Sequence, residues 1–177
     1  MTAIQPARYT CYRAAGPIHI DGRLDEPSWQ LAPKSTPFVD IVTGEPAWFD
    51  TRVALLWDDD NLYAGFRVEE TDVWGTMTER DSKIYEENDV ELFIAGENAY
   101  YEFEINALNT VYEAFWIWKP FGLPRVIEAG TPVWFLYRRT EMAVCVFSLT
   151  IGSDYHLGTS QAVVSQSEPV NKGTAPV

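Results

Sequence analysis

The chain has 177 residues, 46% hydrophobic and 14% aromatic, enough to bury the core of one ordinary domain without disulfides or a structural metal. Its formal net charge of −13 excludes a phosphate-rich partner such as nucleic acid, or an anionic membrane surface, because those require clustered Lys and Arg. Cys11 and Cys145 have no CxxC spacing for a metal or redox site and leave one disulfide open.

The opening residues, MTAIQPARYTCYRAAG, contain no apolar export segment and no run able to span a bilayer. The expected location is therefore cytoplasmic by default, or extracellular if the chain is a piece of a longer secreted protein. Asp25 ahead of Glu26, Pro27 and Ser28 is a helix-start signal and predicts a short helical turn carrying Trp29. Val53, Leu55 and Trp57 then share one strand face, and Leu62, Ala64, Phe66 and Val68 alternate with Tyr63, Gly65 and Arg67 in the next strand. The DDDN run at 58–61 predicts the hairpin turn between them. Its Asp58 and Asp60 are candidate calcium ligands, with a solvated acidic turn as the alternative.

A second hairpin follows. Val90, Leu92 and Ile94 form one face, AGENA at 95–99 the turn, and Tyr101, Phe103 and Ile105 the matching face, with a further strand at 110–118. A turn symmetric about Glu97 and Asn98 sets Glu91 opposite Glu104, Phe93 opposite Glu102 and Asp89 opposite Asn106, all on the face away from the apolar one. Like charges directly across two strands destabilise a sheet. Such a pattern requires solvent, a bridging cation, a nearby arginine, or ligand hydroxyls that donate to the carboxylates. Trp74, Tyr85, Trp116 and Trp118 lie near or within the same strands. Flat rings over the apolar faces of a sugar, with carboxylates and amides on its hydroxyls, are what saccharide recognition needs. A wet sheet face and core packing of the tryptophans are the competing readings.

Beyond Lys119 the composition changes. The whole formal charge of −13 falls at or before that residue, and the remainder is neutral. Residues 1–119 read as a β-sandwich domain. Residues 120–158 read as a divergent continuation, with strand-like stretches at 133–137 and 142–149 able to complete the sandwich. Residues 159–177, polar and without aromatics, read as a disordered tail.

Four blocks, IDGRLDEPSW from Ile20, RVALLWDDDNLYAGFRV from Arg52, TERDSKIYEENDVELFI from Thr78 and YYEFEINALNTVYEAFW from Tyr100, resemble in order and spacing those of family 9 carbohydrate-binding modules. The resemblance implies an all-β, jelly-roll-like antiparallel sandwich that binds a mono-, oligo- or polysaccharide without turning it over, in glycan breakdown. It implies no required cofactor beyond a structural calcium ion. It further implies that Tyr85, where the characterised sugar binders carry a tryptophan, stacks on a pyranose ring, and that Glu91 takes sugar hydroxyls. The family's sugar-contacting arginine falls at Glu104, a donor replaced by an acceptor, and Trp134 is the candidate for the second ring of the clamp.

The expected site is thus Tyr85, Glu91, Trp74, Arg80, Glu104 and Asn106, with Arg80 and Asn106 assigned from placement. A glycoside hydrolase working through Glu91 and Glu104, about 5 Å apart across the strands, is the rival reading. Two neighbours on one sheet face lack the unlike environments that such a pair requires. A degenerate module without binding activity is the third reading.

Overall fold

The computed structural model describes residues 7–96 and 99–119, with side chains to 117, and the backbone strands 122–127, 133–138 and 142–150. The first hairpin joins β2 (Thr51–Trp57) to β3 (Asn61–Glu69), paired from Thr51↔Val68 to Trp57↔Leu62. Asp58 closes its turn: Oδ1 accepts the N–H groups of Asp60 at 2.9 Å and Asn61 at 2.8 Å, and Oδ2 accepts the Tyr63 hydroxyl at 2.6 Å. The second hairpin joins β4 (Asp89–Ala95) to β5 (Ala99–Asn106). Its register sets Glu91 opposite Glu104, Phe93 opposite Glu102 and Asp89 opposite Asn106, the pairing expected of the symmetric turn. The tip of that turn, Glu97 and Asn98, lies outside the described residues.

Two sheets result. The four-stranded sheet has the order β4, β5, β6 (Val111–Lys119), β7 (Gly122–Ile127), antiparallel throughout. The five-stranded sheet has the order β1 (Tyr12–Arg13), β2, β3, β9 (Met142–Thr150), β8 (Val133–Arg138), with β1 parallel to β2 and the other neighbours antiparallel. The chain is an all-β sandwich. The continuation past Lys119 contributes three of its strands, and 159–177 lie outside the described residues. Cys11 is a half-buried free thiol.

The alternation read from the sequence builds the core between the sheets. Val53, Ala64 and Phe66 meet Val90, Leu92, Phe103 and Ile105, with Leu55, Leu62 and Val68 against them. A second core lies on the opposite face of β2 and β3, where Ala54, Leu56 and Tyr63 pack with Trp29 and Ala32, flanked by Ile18, Ile20 and Leu24. Gly65 permits it: a Cβ there would stand 2.6 Å from Leu24 Cδ2 and 3.3 Å from the Trp29 ring. Trp29 rides on α1 (Pro27–Leu31), as expected of the helical turn. The capping position is Glu26 and not Asp25, and the Glu26 carboxylate accepts the His19 N–H at 2.9 Å instead of capping the helix. No described helix is long and apolar enough to cross a membrane. The β2–β3 hairpin is therefore covered on both faces, whereas the outer face of the four-stranded sheet carries the acidic and aromatic residues.

Candidate functional site

Strand alternation puts Asp89, Glu91 and Phe93 of β4, Tyr100, Glu102, Glu104 and Asn106 of β5, and Tyr112, Ala114 and Trp116 of β6 on that outer face. They fall into transverse rows. One row runs Glu91, Glu104, Tyr112, and the next runs Phe93, Glu102, Ala114. Tyr100 lies opposite Trp116, their rings stacked at 5.9 Å and 14°, and Phe93 leans on Tyr100 at 6.0 Å. The Trp116 indole N–H donates to Glu102. Tyr85, on the 3-10 turn Ile84–Glu86, is 40% exposed and meets Tyr112 edge-on, with centroids 5.9 Å apart at 85°. The exposed ring thus stands at the end of the row that holds Glu104 and Glu91. Phe93, Tyr100, Glu102 and Tyr112 were absent from the expected set, although period-two alternation from Glu91 and Glu104 already places the first three on this face.

Two acids of this face are buried, and Asp89 and Glu102 are half-buried. Glu91 is 9% exposed and Glu104 only 1%. The wet acidic face that the charge pattern allowed does not hold at the central pair Glu91 and Glu104. Single oxygens of Asp89, Glu91 and Glu104 all lie within 4.8 Å of one another. Both Asp89 carboxylate oxygens and Glu104 Oε2 are buried without a hydrogen-bond partner. Burial, with Glu91 beside it, pushes the Asp89 carboxyl up to about 8. Burial, with Asp89 and Glu91 as the nearest charges, pushes Glu104 up to about 9. Burial and the neighbouring Glu102 and Glu104 carry the Tyr112 hydroxyl to about 12.

Other expected site residues serve the loop beside the sheet. Asn106, 1% exposed, spends its whole side-chain amide there. Nδ2 donates to the Met77 carbonyl at 2.9 Å and to Glu87 at 3.2 Å, and Oδ1 accepts the N–H groups of Leu108 and Thr110, each at 2.9 Å. Its assignment as a sugar contact is corrected on that ground. Arg80 turns one guanidinium nitrogen to the buried Glu113 carboxylate, away from the row that holds Glu91 and Glu104. Burial raises the Glu113 carboxyl, and the Arg80 contact only partly offsets this. Trp74 is half-buried on the same loop, its N–H held by Asn88 Oδ1 at 3.0 Å.

Glu87, missed by sequence reasoning, organises this loop. It is 3% exposed, and its carboxylate accepts the Thr76 N–H at 2.6 Å, the Thr76 hydroxyl, the Met77 N–H at 3.2 Å and Asn106 Nδ2. Burial works to raise its pKa, but these donors outweigh it and hold the carboxyl below its ordinary range.

The 58–61 turn does not fit a calcium site. Hydrogen-bond donors already occupy both Asp58 oxygens, and Asp59 is engaged by Arg13. A cation would have to displace these donors, and Asp60 is the exposed carboxylate of the turn that none of them engages. The side chains of Trp118 and Trp134 lie outside the described residues.

Fold and site together define a two-sheet sandwich with one carboxylate- and ring-bearing face. The model of the carbohydrate family 9 binding domain-like family matches residues 20–115, and the chain belongs to that family. Among solved structures, it is similar to a family 9 carbohydrate-binding module from Caldicellulosiruptor kristjanssonii in complex with glucose, at 18% identity and a TM-score of 0.58, covering 84% of this chain and 72% of that one. A module from the same organism, in complex with cellotriose, matches at 15% identity and a TM-score of 0.58, covering 87% and 80%. A putative carbohydrate-binding protein from Bacteroides uniformis matches at 13% identity and a TM-score of 0.61, covering 88% and 78%. Comparison with curated protein sequences gave no match.

Proposed function

We propose that the chain is a non-catalytic carbohydrate-binding module that seats a saccharide on the outer face of the four-stranded sheet. The observation that carries this is the row Glu91, Glu104, Tyr112 ending in the 40% exposed Tyr85, whose ring is fixed edge-on by Tyr112. Tyr85 stacks on the apolar face of a pyranose, and Glu91 and Glu102 accept its hydroxyl hydrogens. The Trp116 indole holds Glu102 in place, which lowers the ordering cost of binding. The glucose and cellotriose complexes of the similar structures make β-glucosides the first ligands to try.

Binding is favoured over hydrolysis because Glu91 and Glu104 sit side by side in one buried row. A glycosidase pair needs an acid and a nucleophile in unlike environments on either side of a cleft. Joined to a catalytic domain, such a module raises the local concentration of enzyme at its polysaccharide and so aids breakdown. Calorimetry with glucose and cellotriose on the wild type, Y85A and E91Q tests the site. Saturable binding weakened in both variants supports it, and wild-type affinity in both overturns it.

A further inference from the structure

We propose that Glu87 is the positioning residue of the saccharide site: it fixes the 3-10 turn Ile84–Glu86, and with it the Tyr85 ring, before a sugar arrives. This rests on the reading of Tyr85 as the stacking ring. Tyr85 is 40% exposed, and a single turn of helix has no stability of its own in water. Its neighbours supply what the turn lacks. Ile84, at its start, is fully buried. Glu87, at its end, closes it by donating its N–H to the Ile84 carbonyl at 2.9 Å. The Glu87 side chain reaches the 74–77 segment, where it accepts the Thr76 N–H at 2.6 Å, the Thr76 hydroxyl and the Met77 N–H at 3.2 Å. One residue thus ends the ring-bearing turn with its backbone and anchors it with its carboxylate.

That anchor leads to the sheet itself. Asn106, at the end of β5, donates to Glu87 at 3.2 Å and to the Met77 carbonyl at 2.9 Å, and the Thr110 hydroxyl donates to the same carbonyl at 2.7 Å. Asn88 adds a parallel tie by accepting the Trp74 N–H at 3.0 Å. The 74–77 segment is therefore held between the two residues that follow the ring-bearing turn and the connection from β5 to β6. Further along the loop, Asp81 donates its N–H to the Val111 carbonyl at 2.9 Å and accepts the Glu113 N–H at 3.3 Å. Gly75 gives the carboxylate its room: a Cβ there would stand 3.3 Å from Glu87 Oε2 and 3.5 Å from Asn106 Nδ2. Glu87 is 3% exposed and donors of the chain meet both of its oxygens, so it acts on a sugar through Tyr85 and not by contact. A ring already seated against Tyr112 loses less freedom when a pyranose stacks on it, and the ordering cost of binding falls accordingly.

Two variants of the full chain, each checked for native near-ultraviolet dichroism, test this. E87Q keeps the side-chain shape but turns an NH2 group toward donors on one side, and G75A crowds the carboxylate while leaving it in place. In nuclear magnetic resonance spectra the Tyr85 ring protons, identified by their loss in Y85A, carry the ring-current shift of Tyr112. E87Q should collapse that shift, and G75A reduce it, while the signals of Trp29 and Phe66 in the two cores stay where they are. By calorimetry, E87Q should weaken cellotriose binding about fivefold and G75A about threefold, and E87Q should cost nothing further in the Y85A background. If E87Q does not fold, G75A carries every readout. Unmoved Tyr85 signals in a folded E87Q, or an equal loss of affinity with and without Tyr85, overturn the inference. Wild-type affinity in E87Q beside a weakened Y85A also overturns it and leaves the sugar site standing. A wild type that binds neither glucose nor cellotriose overturns the saccharide reading instead, and the Tyr85 signals still decide whether Glu87 sets the ring.

Discussion

Glu87 and Glu104 are both glutamates sealed from water, 3% and 1% exposed, yet they are solvated in opposite ways. Around Glu87 the chain folds back to deliver the Thr76 and Met77 N–H groups and the Asn106 amide, and the carboxyl is held below its usual range. Around Glu104 stand Asp89, Glu91 and Glu102, and the carboxyl is driven up to about 9. Burial alone does not distinguish these two acids. The number of donors pointing at each does: a carboxylate ringed by donors keeps its charge and fastens the chain, and one ringed by other acids holds on to its proton.

Four experiments break or sharpen this contrast. The largest effect is expected from E87A, which strips the acceptor from several buried donors at once and should cost about 3 kcal/mol in urea unfolding. A loss below about 1 kcal/mol would mean that the loop is not fastened there. The milder acid-to-amide change should then act with opposite signs. E104Q, measured at pH 8, should stabilise the chain by about 2 kcal/mol because the raised Glu104 carboxyl must take up a proton on folding at that pH and glutamine need not, whereas E87Q should destabilise it. Equal signs would erase the distinction.

Next comes Y85A, expected to weaken glucose or cellotriose binding about tenfold, or about 1.4 kcal/mol, with the melting temperature unchanged because the ring stands clear of both cores. A change in melting temperature without loss of affinity would make Tyr85 a packing residue. The smallest effect concerns Asp58, a more exposed counterpart of Glu87. Burial opposes its ionisation, but the Tyr63 hydroxyl and the Asp60 and Asn61 N–H groups prevail and lower its pKa. Its folded value lies below the unfolded carboxylate value of about 3.9, so its stabilisation is complete above that pH and is lost as pH falls through the folded value. D58N should cost about 1 kcal/mol at pH 7 and flatten the acid limb of the stability curve. An unchanged limb would show that the turn is indifferent to its charge.

The fold was readable wherever it depends on period two. Leu62, Ala64, Phe66 and Val68 named the inner face of β3, and symmetry about Glu97 and Asn98 was enough to pair Glu91 with Glu104. The family resemblance, carried by four blocks between Ile20 and Trp116, agrees with the matched span of 20–115. Legibility ended where contacts cross the sequence. Asn106 looks like any polar residue on the sugar-facing strand, and its true partners, Met77 and Glu87, lie 29 and 19 residues back in the chain. Gly65 read only as an alternating position of β3, and the folded chain shows that Leu24 and Trp29 fill the space beside it. The burial of Glu104 is tertiary in origin too, which is why the same charge pattern read equally well as a wet face.

One feature of the strand order bears on how the molecule assembles. β9 arrives last in the chain yet lies inside the five-stranded sheet, matched to β3 at nine successive positions from Asn61↔Thr150 to Glu69↔Met142. During synthesis the first hairpin must wait for a segment some eighty residues downstream, with the donor and acceptor row of β3 bare until then. Contacts so distant in sequence favour slow folding, and any chain released before about residue 150 would offer β3 as an open template for pairing with its neighbours.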